Sequence, residues 1–456
     1  MYACVCDIAT YRKMNGYKYF AKHGDVKRMT KKIFNNLMAF FREAFWILPA
    51  FIVCLGVFGA LGFIEIDRSD ILATNYLTRN WLYDGGGTGA RTLLGVIASS
   101  TIGVASTVFS ITIAALSLAA GQMGPRLLRN FTQDRGNQVT LGIFLGTFSY
   151  ALMVLRSVRT EGEGVFIPHL SLSIGILLAF VCVGTLVYFV GHMAGRINVD
   201  TVIDLVSEDS RLAMHRLTTE ESKKVLSLPE AFGVEAKEIR DTRRGYLQRL
   251  NYQHLADWAA EKGTTIKLLA RPGDYVFPGA PIAFAQPMVD GVGDAIVDTT
   301  ELSHERTSSA DLEFAIRQLV EVAVRGLSPG INDPHTAISV LNRLGASLCD
   351  IVGRELADGI FRSHGKVTLI VPAVDYDGLT DSMFHMIRQN AQANPAVLIC
   401  MLDVLIAVAT CEPREDRRKT LIRHAALVFD DANLTIKNQV DLQDVQLRYQ
   451  SFGSMI

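Results

Sequence analysis

The chain has 456 residues, of which 49% are hydrophobic and 20% charged, with a formal net charge of -1. A mean hydropathy of +0.23 is too high for an ordinary soluble protein and too low for a bare membrane bundle, so a membrane part joined to a sizeable soluble part is expected. The near-neutral balance speaks against a nucleic-acid partner.

Residues 1–44 read as a basic cytoplasmic extension. Within it Met29, Ile33, Leu37, Phe40, Phe41 and Ala44 fall on one helical face, opposite Lys27, Arg28, Lys31 and Lys32. That pattern predicts a basic amphipathic helix lying on the inner leaflet. No small-residue cleavage site follows the first apolar run, so no removable signal peptide is expected.

Four apolar stretches, 45–64, 93–123, 139–155 and 169–193, approach or exceed the ~20 residues that cross a hydrocarbon core. They predict a four-helix transmembrane domain over 45–195, of which the third span is the shortest. Lys and Arg crowd before the first span. The loop between spans two and three carries Arg126, Arg129 and Arg135 against Asp134 alone. The other two loops are balanced: Arg68, Arg79 and Arg91 stand against Glu65, Asp67, Asp70 and Asp84, and Arg156 and Arg159 against Glu161 and Glu163. The asymmetry places both termini in the cytoplasm. None of the predicted spans holds an Asp, Glu, Lys or Arg, which argues against proton relays, voltage sensors and ion-coupled carriers. His169 and His192 fall at the ends of span four and read as interfacial.

In the second span Ser99, Gly103, Ser106, Ser110, Ala114, Ser117 and Gly121 recur every three or four residues and so share one helical face. Two uses stay open: close packing against a neighbouring span, or an oligomer in which the hydroxyls line a water-filled path. The run stops in Gly124-Pro125-Arg126, where Arg126 and Arg129 would make a positive cytoplasmic mouth.

Residues 196–456 predict a cytoplasmic α+β domain. Helices are expected over 197–226, with Thr218 and Glu221 at capping-box spacing. A strand follows at 245–250, and then a helix over 252–262, capped by Asn251 and ended by Gly263. Strands at 264–270 and 275–285 flank the turn Arg271-Pro272-Gly273-Asp274, and Pro278-Gly279 interrupts the second. Together they read as a small structural β unit. Gly273-Asp274-Tyr275-Val276 with Gly279 resembles one half of biotinyl and lipoyl barrel-sandwich domains. No Met-Lys-Met-like acceptor turn follows, so no covalently carried cofactor is expected.

A helix over about 309–325 leads into a polar elbow at 327–337. Pro329-Gly330 breaks one helix, Asp333 caps the next and Pro334 takes its first position. Asn332 and Asp333, with His335, are also placed to meet a cytoplasmic ligand. A helix to about 358, a strand at 367–374 and three further helices complete the chain. The apolar stretch 395–411 contains Asp403 and starts at Asn394-Pro395, which favours a buried core helix over a fifth span.

Catalytic signatures are missing: there is no P-loop, no Gly-x-Gly-x-x-Gly after a strand, no His-Glu-x-x-His and no Gly-x-Ser-x-Gly. Glu301 with His304, and His254 with Asp257, read as solvated residues, so no metal site, no cofactor and no enzyme are expected. The seven cysteines show no Cys-x-x-Cys spacing and read as reduced thiols.

Several blocks resemble one bacterial family of predicted membrane proteins, filed as domain of unknown function 2254. They are Phe45-Trp46-Ile47-Leu48-Pro49-Ala50, Gly124-Pro125-Arg126-Leu127-Leu128-Arg129-Asn130-Phe131 and Gly142-x-Phe144-Leu145-Gly146-Thr147-Phe148. Phe314-Ala315-Ile316-Arg317-Gln318-Leu319 and Ser328-Pro329-Gly330-Ile331-Asn332-Asp333-Pro334 complete the set. The resemblance runs from about Ala44 to near the C-terminus. Residues before about Val26 look like an extension, and His335 stands where an aromatic or small residue is expected. It implies a bacterial inner-membrane location and a four-span plan, and supplies no activity. The fold expected is an α-helical integral membrane protein of four transmembrane helices, with a cytoplasmic α+β domain containing a small β unit. The function expected is a homo-oligomeric ion channel in the lipid bilayer, lined by the second span. A non-conducting membrane-anchored sensor or scaffold is the alternative.

Overall fold

The structure is a computed structural model that describes residues 45–69, 85–123, 134–160, 165–219, 235–304, 306, 312–363 and 365–454. The expected amphipathic helix of the N-terminal extension, the Gly124-Pro125-Arg126 stop with Arg129, and Glu221 lie outside these residues. The chain divides into two compact units, 1–112 with 129–190, and 113–128 with 191–456.

Among the described residues, four helices are long and apolar enough to cross a membrane. They are α1 (Ile47–Arg68), α2 (Gly87–Met123), α3 (Arg135–Ser157) and α4 (His169–Ile197). Each contains one predicted span, with different ends. The residues Glu65, Asp67 and Arg68, expected in a loop, form the last turn of α1. That turn is tied down at a distance: the Asp67 carboxylate accepts from the backbone N–H groups of Leu170 (3.0 Å) and Ser171 (2.9 Å) and from the Ser171 hydroxyl (2.6 Å). These amides open α4 and have no partner within their own helix, so a carboxylate is well placed there. The Tyr150 hydroxyl donates to the Ser171 carbonyl at 2.9 Å. At α3, Asp134 accepts from the Gly136 N–H and caps a helix of 23 residues, longer than its apolar run.

Packing between α1 and α3 rests on close backbone approach. A Cβ on Gly56 would lie 2.5 Å from the Gly146 carbonyl oxygen, and one on Gly142 would lie 2.5 Å from the Ile52 side chain. Gly142-x-x-x-Gly146 therefore acts as a small-residue groove of the kind helices use in lipid. Ala60, Ile64, Leu94, Tyr150, Val154 and Leu172 form the core beside it.

The second unit is mainly helical with inserted strands. Helix α5 (Val199–Leu217) is capped by Asn198 and ends where the sequence predicted continued helix. Thr218–Thr219 is instead strand β1, paired antiparallel with β8 (Glu355–Leu356). The Thr218 hydroxyl donates back to Met214 at 2.7 Å and accepts from Arg354 at 2.8 Å, so it serves the end of a helix and not the start of one.

Strands β2 (Lys237–Arg240) and β3 (Gly245–Leu250) precede α6 (Tyr252–Lys262). Asn251 caps α6 by accepting from the His254 N–H, and Gly263 ends it at φ 70°. Strands β4 (Thr265–Leu268), β5 (Tyr275–Val276) and β6 (Pro281–Gln286), helix α7 (Val292–Thr299) and strand β7 (Thr300–Ser303) follow. Helices α8 (Leu312–Gly326) and α9 (Pro334–Asp350) then lead to β8, β9 (Ile360–Ser363) and β10 (Lys366–Ile370).

The strands form a five-stranded sheet in the order β2-β6-β4-β10-β9 and a three-stranded sheet in the order β5-β3-β7, with β4 and β10 parallel. The β unit is thus larger than expected, because it takes in β9 and β10 from beyond two helices. Leu247, Leu255, Ala259, Ile266, Ala283, Ile296 and Leu369 are its core. Helix α9, expected to reach about residue 358, stops at Asp350, and Gly353 at φ 77° turns the chain.

Four helices follow β10 where three were expected: α10 (Tyr376–Asn390), α11 (Pro395–Cys411), α12 (Glu415–Thr435) and α13 (Gln439–Ser454). Helix α11 buries Val397, Leu398, Met401, Leu402, Leu405 and Val408 and packs on α9, α12 and α13. It is a core helix of this unit. Cys54, Cys182, Cys349, Cys400 and Cys411 are free thiols.

Candidate functional site

Helix α2 carries two opposed stripes. Leu94, Ile97, Ala98, Thr101, Ala105, Val108, Ala115 and Ala119 are buried. Ser99, Gly103, Ser106, Ser110, Ala114, Ser117 and Gly121 are all exposed. At about 100° per residue the two sets lie on opposite sides of the helix. A Cβ placed on Gly103 or Gly121 would meet nothing within 4 Å, in contrast to Gly56, Gly142 and Gly146. The small face is therefore not used for packing within the described chain. Its hydroxyls are satisfied by their own helix: Ser110 donates to the Ser106 carbonyl at 2.9 Å, and Ser99 to that of Val96 at 3.2 Å. Exposed Ile102, Phe109, Ile113 and Leu118 flank it. At the far end of α2 the Arg325 guanidinium donates to the Gly121 carbonyl at 3.3 Å, across 204 residues of sequence. A cation there complements the negative end of the helix dipole.

A second grouping, unanticipated from sequence, joins α10 to α12. Asp381, His385 and His424 place one ligand atom each within 4.8 Å of one another. The Asp381 Oδ1 lies 3.0 Å from His385 Nε2 and 3.2 Å from His424 Nε2. His424 is wholly buried, and neither of its ring nitrogens has a hydrogen-bond partner. Its contact with Asp381 is close but lacks the alignment of a hydrogen bond. Burial, helped by the positive fields of Arg423, His385 and Arg388, pushes its pKa down to about 4, so the ring is neutral. Arg423 donates to Asp381 Oδ1 at 2.6 Å, and Arg388 pairs with Asp431. The four-residue spacing of Asp381 and His385 is the one sequence signal that could have pointed to the pair, and it was missed. His424 arrives on a separate helix.

Residues 42–407 match the family described as predicted membrane protein (DUF2254). The chain belongs to this family. Two relatives are an uncharacterised protein of Mycobacterium tuberculosis (strain CDC 1551 / Oshkosh) and one of Mycobacterium bovis (strain ATCC BAA-935 / AF2122/97). Each is 29% identical over 416 residues, covering 89% of this chain and 79% of the relative. No solved structure matches the chain.

The remaining predicted residues of this DUF2254 protein are spread apart. Arg126 and Arg129 lie outside the described residues. At the elbow, the Asp333 carboxylate accepts from the His335 and Thr336 N–H groups at 3.1 and 3.3 Å and from the Thr336 hydroxyl at 2.7 Å. The Thr336 hydroxyl bond leads the interactions that hold its pKa below the usual carboxylate range. Both oxygens thus serve the start of α9. Asn332 is exposed at φ 48°, in the turn closed by the Asp333 N–H on the Gly326 carbonyl at 2.7 Å. His335 is exposed. Asp257 accepts from Gln253 and Ser363. Glu301 and His304 are solvent-facing on and beside β7.

Proposed function

We propose that this DUF2254 protein is a homo-oligomeric ion channel of the bacterial inner membrane, in which α2 from each copy lines the path. In this reading all four apolar helices cross the bilayer, and both termini and residues 196–456 lie in the cytoplasm, where that domain regulates opening. The observation that carries it is the small, hydroxyl-bearing face of α2, uncovered by the other described residues and opposite its packed face. In an oligomer, such a face would meet a helix of another copy or water.

The path would be neutral, because α2 has no Asp, Glu, Lys or Arg between Arg91 and Met123. Selection then rests on width and on hydroxyl dipoles. Arg126 and Arg129 would make the cytoplasmic entrance positive and favour anions.

The test is single-channel recording of the purified full chain in planar bilayers, beside Ser110→Leu. Unitary currents are expected, and the leucine should cut conductance several-fold by narrowing and drying the path. Absence of current under varied ions, pH and tension overturns the reading in favour of a non-conducting sensor or scaffold. Conductance unchanged by Ser110→Leu removes α2 from the path.

A further inference from the structure

We propose that Asp381, His385 and His424 bind one divalent first-row transition ion of the zinc class, independently of whether the protein conducts. Asp381 and His385 stand four residues apart on α10, so their side chains share a face. Helix α12 brings His424 against that face. The Oδ1 to Nε2 separations of 3.0 and 3.2 Å are close to the edges of a tetrahedron with metal bonds of ~2.0–2.2 Å, which are ~3.3–3.6 Å long. A small outward adjustment admits the ion.

The second observation is His424 itself. A fully buried imidazole whose nitrogens make no hydrogen bond is costly, since each lost its water and Nε2 has only the misaligned Asp381 carboxylate in exchange. Ring packing accounts for how the space is filled: Phe384 and His385 lie 5.5 and 5.1 Å away, centroid to centroid. It gives the nitrogens no partner. The His385 Nδ1 is likewise buried and unpaired. A metal ion takes the lone pair that a neutral imidazole nitrogen offers.

Two imidazoles and one carboxylate suit Zn2+, Co2+, Ni2+ or Fe2+, and reject Mg2+ and Ca2+, which take oxygen ligands. Half-buried Asp381 and His385 open the site on one side, where water completes the coordination. Arg423 competes for Asp381 Oδ1 at 2.6 Å, but its side chain is 42% exposed and free to turn to solvent. Arg388 is already neutralised by Asp431.

The experiment uses the tag-free full chain in detergent, stripped with a chelator and titrated with Co2+ and Zn2+. One Co2+ per chain with visible d–d bands is expected, displaced by Zn2+ and not by Mg2+. His385→Gln and Asp381→Asn alter half-buried positions, and each should weaken Zn2+ binding by at least about tenfold with the circular dichroism unchanged. Failure of the parent chain to bind Co2+ or Zn2+ stoichiometrically overturns the site. So does parental affinity in both folded variants.

Discussion

Asp241 follows β2, and only 2% of its side chain is accessible. Burial alone would push its pKa up. The hydrogen bonds from Arg243 outweigh that: the guanidinium donates through Nη2 at 2.7 Å and through Nε at 3.1 Å to each oxygen, and the Arg243 N–H adds a bond of 2.8 Å. The carboxyl is held below its ordinary range. Arg243 also donates to the Thr300 hydroxyl at 2.7 Å, so the pair ties the turn between β2 and β3 to the start of β7. A depressed carboxylate pKa means that the folded state binds fewer protons than the unfolded one. Its stabilisation is present above the unfolded pKa of ~3.9 and is lost as pH falls through the folded value. Asp241→Asn should therefore lower stability by about 1–3 kcal/mol at neutral pH. The gap from the parent should narrow in acid. Denaturant melts followed by circular dichroism at neutral pH and near pH 3 check this. An equal gap at both values counts against the charge as its source.

Two helices of similar composition use their glycines in opposite ways. On α1, an added methyl at Gly56 would sit 2.5 Å from a backbone oxygen of Gly146, an atom that cannot rotate aside. Gly56→Ala should push α1 from α3 and cost about 1–3 kcal/mol. On α2, Gly103 has open space around it, so Gly103→Ala gains up to about 1 kcal/mol of helix propensity. Thermal melting of the monomer in detergent should thus move down for one variant and hold or rise for the other. Equal losses would mean that α2 packs on its small face after all. These assignments depend on which neighbour an element meets, and sequence reports that only when the cause is local. Asn251 and Gly263 bounded α6 correctly, and Asp333 with Pro334 marked the start of α9, because caps act within a few residues. The last turn of α1 escaped, since Asp67 is held by amides 103 and 104 residues away. So did the full sheet, where Ile266 of β4 pairs with Leu369 of β10.

At the scale of the whole molecule the same limit governs the sites. The hydroxyl stripe of α2 was legible as a periodicity, but whether the chain covers it depends on where three other helices lie. Asp381 and His385 stand four residues apart, a local signal that went unread, whereas His424 and its unbonded nitrogens belong to tertiary packing. Above the single chain, the channel reading makes one demand that simple helix contact does not: the α2 face must meet water. A cysteine replacing Ser106 would ionise there and react with a membrane-impermeant thiol reagent, because the thiolate is the reactive form and needs a polar surrounding. A cysteine replacing Val187 on α4, 71% exposed but ringed by apolar side chains, would face hydrocarbon and stay unmodified. Peptide mass spectrometry separates both from the seven native cysteines. Modification at Ser106→Cys and not at Val187→Cys, in reconstituted vesicles, places water along α2. Protection of both positions instead leaves the small face as a dry contact between copies, and the path would then have to be sought elsewhere in the assembly.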